Sequence, residues 1–88
     1  VKDVNAGEIL VVEGDRIINA FLVISGRLSM VKSTESGKEL TVELLSPGHV
    51  SGLLMAFEEK PPTYSIRAQV DSRVLWVPIN ELRSALRS

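Results

Sequence analysis

Glycine spacing is the feature that most constrains how this 88-residue chain can fold. The first five of its six glycines are separated by 7, 12, 11 and 11 residues; the full set is Gly7, Gly14, Gly26, Gly37, Gly48 and Gly52. Turn signals at this spacing, between short apolar segments, are typical of an all-β sandwich or barrel. Glycine suits such turns because they need a positive φ, which other residues adopt only at a steric cost.

The segments between the glycines have the composition of β-strands, rich in β-branched and large apolar residues. Strands are predicted over residues 8–13, 17–25, 27–33, 39–45, 64–70 and 73–79. The clearest alternation places Leu28, Met30 and Lys32 on one face of their strand, with Ser29 and Val31 on the other. This period of two predicts a strand with one buried face.

Two segments interrupt the β pattern and predict helices. Residues 51–60 contain strong helix formers and end at Pro61-Pro62, so a short helix is expected there. A second helix is expected to start at about residues 80–88, with Asn80 as its N-cap and Glu81 in its first turn.

Composition excludes several classes of function. Ten Lys and Arg against eleven Asp and Glu give a net charge of −1, which argues against a stand-alone nucleic-acid-binding domain. No cysteine and one histidine exclude a disulfide scaffold and any metal centre that needs several such ligands. Apolar runs of at most five residues cannot cross a membrane, and no signal peptide is visible, so a cytoplasmic location is expected. The missing initiator Met suggests an excerpt from a longer protein.

Residues that could carry catalysis have simpler interpretations. His49 follows Pro47-Gly48 and is expected to be a surface turn residue, since no second metal ligand is evident. Glu58 and Glu59 are adjacent, so on a helix they point in different directions and form no catalytic pair. Trp76 lies within an apolar strand and is expected to pack in the core or against a partner. The chain is therefore predicted not to be an enzyme.

Short motifs in a fixed order provide a family resemblance. They are G-E at 7–8, E-G-D at 13–15, F-L-V-I-S-G at 21–26, G-K-E-L at 37–40, L-x-P-G at 45–48, P-x-T-x-S-I-R-A at 61–68 and D-S-x-V-L-W-V-P at 71–78. This ordered set resembles the cyclic-nucleotide-binding domain of Crp/Fnr regulators over nearly the whole chain. The resemblance implies one domain over residues 1–88, folded as a double-stranded β-helix or jelly-roll barrel, with a ligand pocket between the rolls. It also implies a helix after Gly48 that closes the pocket, and a C-terminal dimerisation helix.

The family's phosphate-binding cassette follows the pattern F-G-E-[LIV]-A-L…P-R-[ST]-A. The resemblance implies that its Glu accepts the ribose hydroxyl, its Arg neutralises the cyclic phosphate, and its Ser or Thr adds a hydroxyl. The residues at the matching positions here are Gly52, Leu53, Leu54, Pro62 and Thr63, which form the candidate ligand-binding set. Leu53 replaces the Glu and Pro62 replaces the Arg, so cyclic AMP or cyclic GMP is a disfavoured ligand. Arg67 lies on the strand face with Ser65, opposite Tyr64 and Ile66, and is not expected to replace the lost cation.

The resemblance leads to a sensor domain of a Crp/Fnr-type transcription regulator, with an unidentified small-molecule effector and no evident cofactor. DNA would be bound by a helix-turn-helix domain beyond Ser88, and the full-length protein would be a homodimer through the helix that begins near Asn80. The alternative is a related regulatory module of a channel, a kinase or a patatin-like phospholipase. A domain that still binds cyclic nucleotide through altered contacts is a third possibility. A cupin-type metalloenzyme needs more histidines than this chain has.

Overall fold

The computed structural model describes residues 1–16, 19–52 and 60–87, with no description of the Leu86 side chain. Within these ranges the chain forms eight strands and one helix. They are β1 (Lys2–Val4), β2 (Ile9–Val11), β3 (Asn19–Ser25), β4 (Leu28–Ser33), β5 (Glu39–Leu45), β6 (Val50–Ser51), β7 (Ser65–Ala68), β8 (Ser72–Pro78) and α1 (Ile79–Arg87).

The strands form two four-stranded sheets, and every pairing is antiparallel. One sheet has the order β1-β8-β3-β6, and the other has the order β2-β7-β4-β5. Neighbours in a sheet are mostly distant in sequence, because the chain passes repeatedly from one sheet to the other. This is a jelly-roll arrangement, so the prediction of a mainly β barrel is confirmed.

The core lies between the two sheets and takes side chains from both. Its buried cluster consists of Val4, Val11, Phe21, Val23, Leu28, Leu45, Ile66, Ala68 and Val74. Leu10, Tyr64 and Trp76 are partly buried and pack against this cluster, as expected for Trp76. Removing apolar surface from water stabilises the fold by roughly 25 cal/mol per Å². The sheets are therefore held together mainly by this shared apolar layer.

Strand boundaries agree with the sequence in most places, and β5 matches its predicted range. The sequence missed β1 and β6, which have three and two residues and are too short to show a period of two. The helix predicted over 51–60 is wrong at Ser51, which belongs to β6 and pairs with Phe21. Lys60 lies outside regular structure, and the rest of that prediction falls on residues 53–59, outside the described residues.

The C-terminal helix is confirmed, although it begins one residue earlier than predicted. Strand β8 ends at Pro78 and α1 starts directly at Ile79. Asn80 therefore lies inside the first turn and is not the N-cap, because no loop separates the strand from the helix. Ile79 is 4% exposed and fixes the start of the helix against the barrel.

An exposed ion pair joins β1 to β8. Arg73 Nε lies 2.8 Å from Asp3 Oδ1, and the guanidinium holds the pKa of that carboxyl below its usual range through a hydrogen bond and charge attraction. Exposed pairs of this kind contribute little to stability. Burial of Val4 and the pairing with β8 are therefore what hold β1.

The turn between β3 and β4 requires glycine at position 26 for two reasons, its positive φ and the lack of room for a side chain. Its φ is +90°, and a Cβ there would lie 2.2 Å from Ser72 Oγ and 2.7 Å from Ser72 Cα. Ser72 is buried and cannot withdraw easily, because its Oγ accepts from the Arg27 amide and donates to the Val70 carbonyl. The turn and the start of β8 are thus packed directly on each other.

We expect Gly26→Ala to destabilise the domain far more than Gly37→Ala. Both residues have a positive φ, which costs alanine about 1–2 kcal/mol. Only Gly26 has a clash in addition, which costs about 1–3 kcal/mol more, whereas Gly37 faces open space. Urea unfolding of both variants measures the difference. Equal losses would show that the Ser72 contact is unimportant.

Candidate functional site

The cassette segment joins β6, at the edge of one sheet, to β7, inside the other. Of the candidate residues, the structure describes Gly52 at its start and Pro62 and Thr63 at its end. Leu53 and Leu54 lie outside the described residues. The two ends of the segment therefore define the geometry of the site.

Gly52 permits a close approach between the start of the cassette and β3. Its φ is +92°, and a Cβ would lie 3.2 Å from both Ala20 Cα and the Asn19 carbonyl oxygen. The preceding residue, Ser51, is buried and pairs with Phe21. The cassette therefore begins tight against the backbone of the first sheet.

Pro62, at the position of the family's arginine, is a buried packing residue. Its carbonyl accepts a hydrogen bond of 2.9 Å from the Gly14 amide. A second hydrogen bond to the same turn involves Ser65, whose Oγ accepts from the Glu13 amide at 2.9 Å. The end of the cassette is thus fastened to the turn after β2, and Pro62 brings no positive charge to the site.

Thr63 is the exposed member of the candidate residues that the structure describes. It is exposed, and its hydroxyl makes no hydrogen bond in the described part of the chain. The structure therefore leaves a free donor and acceptor beside the buried proline. A hydroxyl of this kind can bind a phosphate or a neutral polar group equally well.

Arg67 cannot supply the missing cation, because it lies on the wrong face of β7. Ile66 and Ala68 are buried towards the core, and Arg67 alternates with them. Its guanidinium donates to Glu39 Oε2 on β5, and the two side chains are 37% and 51% exposed. Strand β4 lies between β7 and β5, so this ion pair crosses the outer face of β4. The two side chains thereby help to bury Val31 of β4.

Two charged residues lie on the inner face of the second sheet, and the sequence singled out neither as part of the site. Lys32 alternates with Leu28 and Met30 on β4, and Glu43 on β5 pairs with Met30. Both are exposed. Glu43 shares the face of the buried Leu45 by alternation, and the β4–β5 register shift falls beyond it, between the pairs Met30–Glu43 and Val31–Thr41. This end of the inner face therefore carries one charge of each sign among the described residues of β4 and β5.

Metal-ligating residues do not cluster in the part of the chain that is described. No group of three His, Cys, Asp or Glu side chains there could hold a metal ion. His49 is an exposed turn residue, as predicted, and its Nδ1 accepts from the Ser46 amide at 2.9 Å. No helix among the described residues is both long and apolar enough to span a bilayer.

Comparison with known proteins identifies the family. The model of the cyclic nucleotide-binding domain matches residues 1–88, and the chain belongs to that family. No curated protein matches its sequence.

Solved structures share the fold at low sequence identity. A candidate cAMP-binding regulatory protein from Silicibacter pomeroyi DSS-3 is 23% identical with a TM-score of 0.92, over 98% of this chain and 39% of that one. The catabolite activator protein of Thermus thermophilus is 24% identical with a TM-score of 0.89, over 98% and 40%. The cAMP-bound EAL enzyme Bd1971 is 21% identical with a TM-score of 0.89, over 99% and 23%. The chain thus spans about two fifths or less of the length of these proteins.

We expect Ser65→Ala to release the turn after β2 from the cassette. Loss of the acceptor for the Glu13 amide should speed hydrogen exchange at that amide by about 3–10-fold, the value of one ordinary hydrogen bond. The Gly14 amide should stay protected by the Pro62 carbonyl. Ser29→Ala is the matched control, because the Ser29 hydroxyl bonds the Arg67 carbonyl and not the turn. Unchanged exchange at Glu13 in Ser65→Ala would contradict this role.

Proposed function

We propose that this chain is the ligand-sensing regulatory domain of a cytoplasmic Crp/Fnr-type transcription regulator, and that it does not bind cyclic nucleotide in the usual mode. The observation that carries the second part is the buried Pro62, which stands where the family pattern has arginine. The sequence adds Leu53 in place of the pattern's glutamate. The two charged side chains with which the family's pattern binds the ribose and the phosphate, glutamate and arginine, are therefore both replaced here by apolar residues.

The energetic consequence concerns the phosphate. An anion moved out of water is costly unless a cation or several donors compensate for it. The backbone at Gly52 and the Thr63 hydroxyl can still donate or accept hydrogen bonds, but neither carries charge. Lys32 is accompanied on the inner face by Glu43, and Arg67 is engaged by Glu39 on the outer face. We infer a ligand less anionic than a cyclic nucleotide, bound against a more apolar wall.

The function proposed for the full-length protein is inferred from the proteins of similar structure. Two of the similar structures are regulators, and the Thermus protein is named a catabolite activator. The EAL enzyme shows that the same fold also accompanies a different type of domain. We favour the regulator, with dimerisation through α1 and DNA binding by a separate domain. Reading the gene beyond the Ser88 codon tests this: a helix-turn-helix supports it, and a catalytic or membrane domain contradicts it.

The cassette proposal predicts a gain of function. We expect Leu53→Glu combined with Pro62→Arg to raise affinity for cyclic AMP by at least about tenfold, because a charge-assisted hydrogen bond contributes roughly 1.5–3 kcal/mol. Calorimetric titration measures the affinity. The uncharged pair Leu53→Gln with Pro62→Gln is the matched control and should give no gain.

Folding has to be checked, because Pro62 is buried and arginine there could destabilise the domain. Thermal unfolding of both double variants and of the single variant Leu53→Glu identifies any that are unfolded. A folded Leu53→Glu/Pro62→Arg variant without increased affinity would contradict the proposal that the lost charges are what disable the cassette.

A further inference from the structure

A cavity lies between the turn after β2, the start of β3 and the end of β8. Its volume is about 170 Å³. Its walls are mainly apolar. Its polar lining residues come from one short stretch of the sequence, residues 15–19. The described lining residues are Leu10, Val11, Val12, Phe21 and Trp76, together with Asp15, Arg16 and Asn19. Of the candidate cassette residues that the structure describes, Gly52, Pro62 and Thr63, none lines it.

The volume of the cavity limits what can enter. An apolar protein cavity of about 150 Å³ holds a benzene molecule. A branched aliphatic or single-ring group therefore fits, whereas a nucleotide is too large. Phe21 is 3% exposed and Trp76 is partly buried, so the inner wall is formed by core aromatic rings. The inner part of the cavity thus suits a compact apolar group.

Among the described residues that line the cavity, Asp15 and Arg16 carry one charge of each sign, and Lys2 Nζ lies 4.7 Å from the centroid of the lining Trp76 ring. Asp15 and Arg16 are both exposed, and neither side chain forms an ion pair or hydrogen bond in the described part of the chain. An anionic ligand would be attracted by Arg16 and repelled by Asp15, whereas a cationic ligand would be attracted by Asp15 and repelled by Arg16. A zwitterion satisfies both charges at once.

We propose that this cavity binds a small zwitterion with an apolar side chain, the chemistry of an aliphatic α-amino acid. Its carboxylate would lie on Arg16, its ammonium group on Asp15, and its side chain against Phe21 and Trp76. Asn19, half-buried at the start of β3, supplies a further polar group beside the two charges.

The site is placed to influence the cassette. The turn that carries Asp15 is bonded to the end of the cassette through the Gly14 and Glu13 amides. Trp76 stands two residues before the end of β8, where α1 begins. A molecule bound here therefore contacts the elements that hold the cassette and lead into the helix. This inference is independent of whether the cassette binds a nucleotide.

Titration of the intact chain with L-leucine, followed by fluorescence of its single tryptophan, tests the proposal. Trp76 lines the cavity, so its emission should change saturably. Binding should weaken by at least about tenfold for 4-methylpentanoate, which lacks the ammonium group, and for 3-methylbutylamine, which lacks the carboxylate. Glycine, which lacks the side chain, should give no saturable change.

Two exposed substitutions locate the site. Arg16→Gln and Asp15→Asn should each weaken L-leucine binding by about tenfold or more. Lys38→Gln and Glu35→Gln, at exposed turn positions away from the cavity, should leave it unchanged. Leu53→Glu/Pro62→Arg should also leave it unchanged, which separates this site from the cassette. The proposal is overturned if L-leucine gives no saturable change up to its solubility limit, if 4-methylpentanoate binds equally well, or if Arg16→Gln and Asp15→Asn bind normally.

Discussion

Two antiparallel sheets of this small domain share one apolar layer, and the positions of the described candidate site residues depend on that packing. Leu28 and Ile66 from one sheet and Val74 from the other are fully buried in it. A chain of this length buries only about 60–65% of its unfolded surface, so few side chains can be spared from the core. The inner faces of the sheets therefore serve as core along part of their length, and beyond it they carry exposed polar residues such as Lys32 and Glu43.

Charge at the site follows from this geometry. A strand alternates its side chains, so only every second residue of β4, β5 and β7 can face inward. Arg67 is on the outer face and is paired with Glu39, while Lys32 and Glu43 share the inner face with opposite signs. The buried Pro62 adds no charge. The domain therefore keeps the family's fold, and the described candidate residues Gly52, Pro62 and Thr63 supply no cation.

Much of the fold was predictable because local signals repeat along the chain. Glycine turns and apolar segments indicated the strands, and all six glycines have the expected positive φ. The strands β1 and β6 were missed because two or three residues cannot show a period, and Ser51 was assigned to a helix although its pairing with Phe21 makes it strand. The site was less predictable: the register shift that follows Glu43 has no signal in the sequence, and the cavity brings residues 10–12, 15, 16, 19 and 21 together with Trp76 across the fold.

The most direct test of the proposal that the cassette does not bind cyclic nucleotide in the usual mode is calorimetric titration of the unmodified chain with cyclic AMP and cyclic GMP. A domain that lacks the cation for the phosphate should show no saturable binding of either nucleotide at micromolar concentrations. One-to-one binding with a micromolar dissociation constant would contradict the account, since it would require a phosphate site that the residues around Pro62 do not provide.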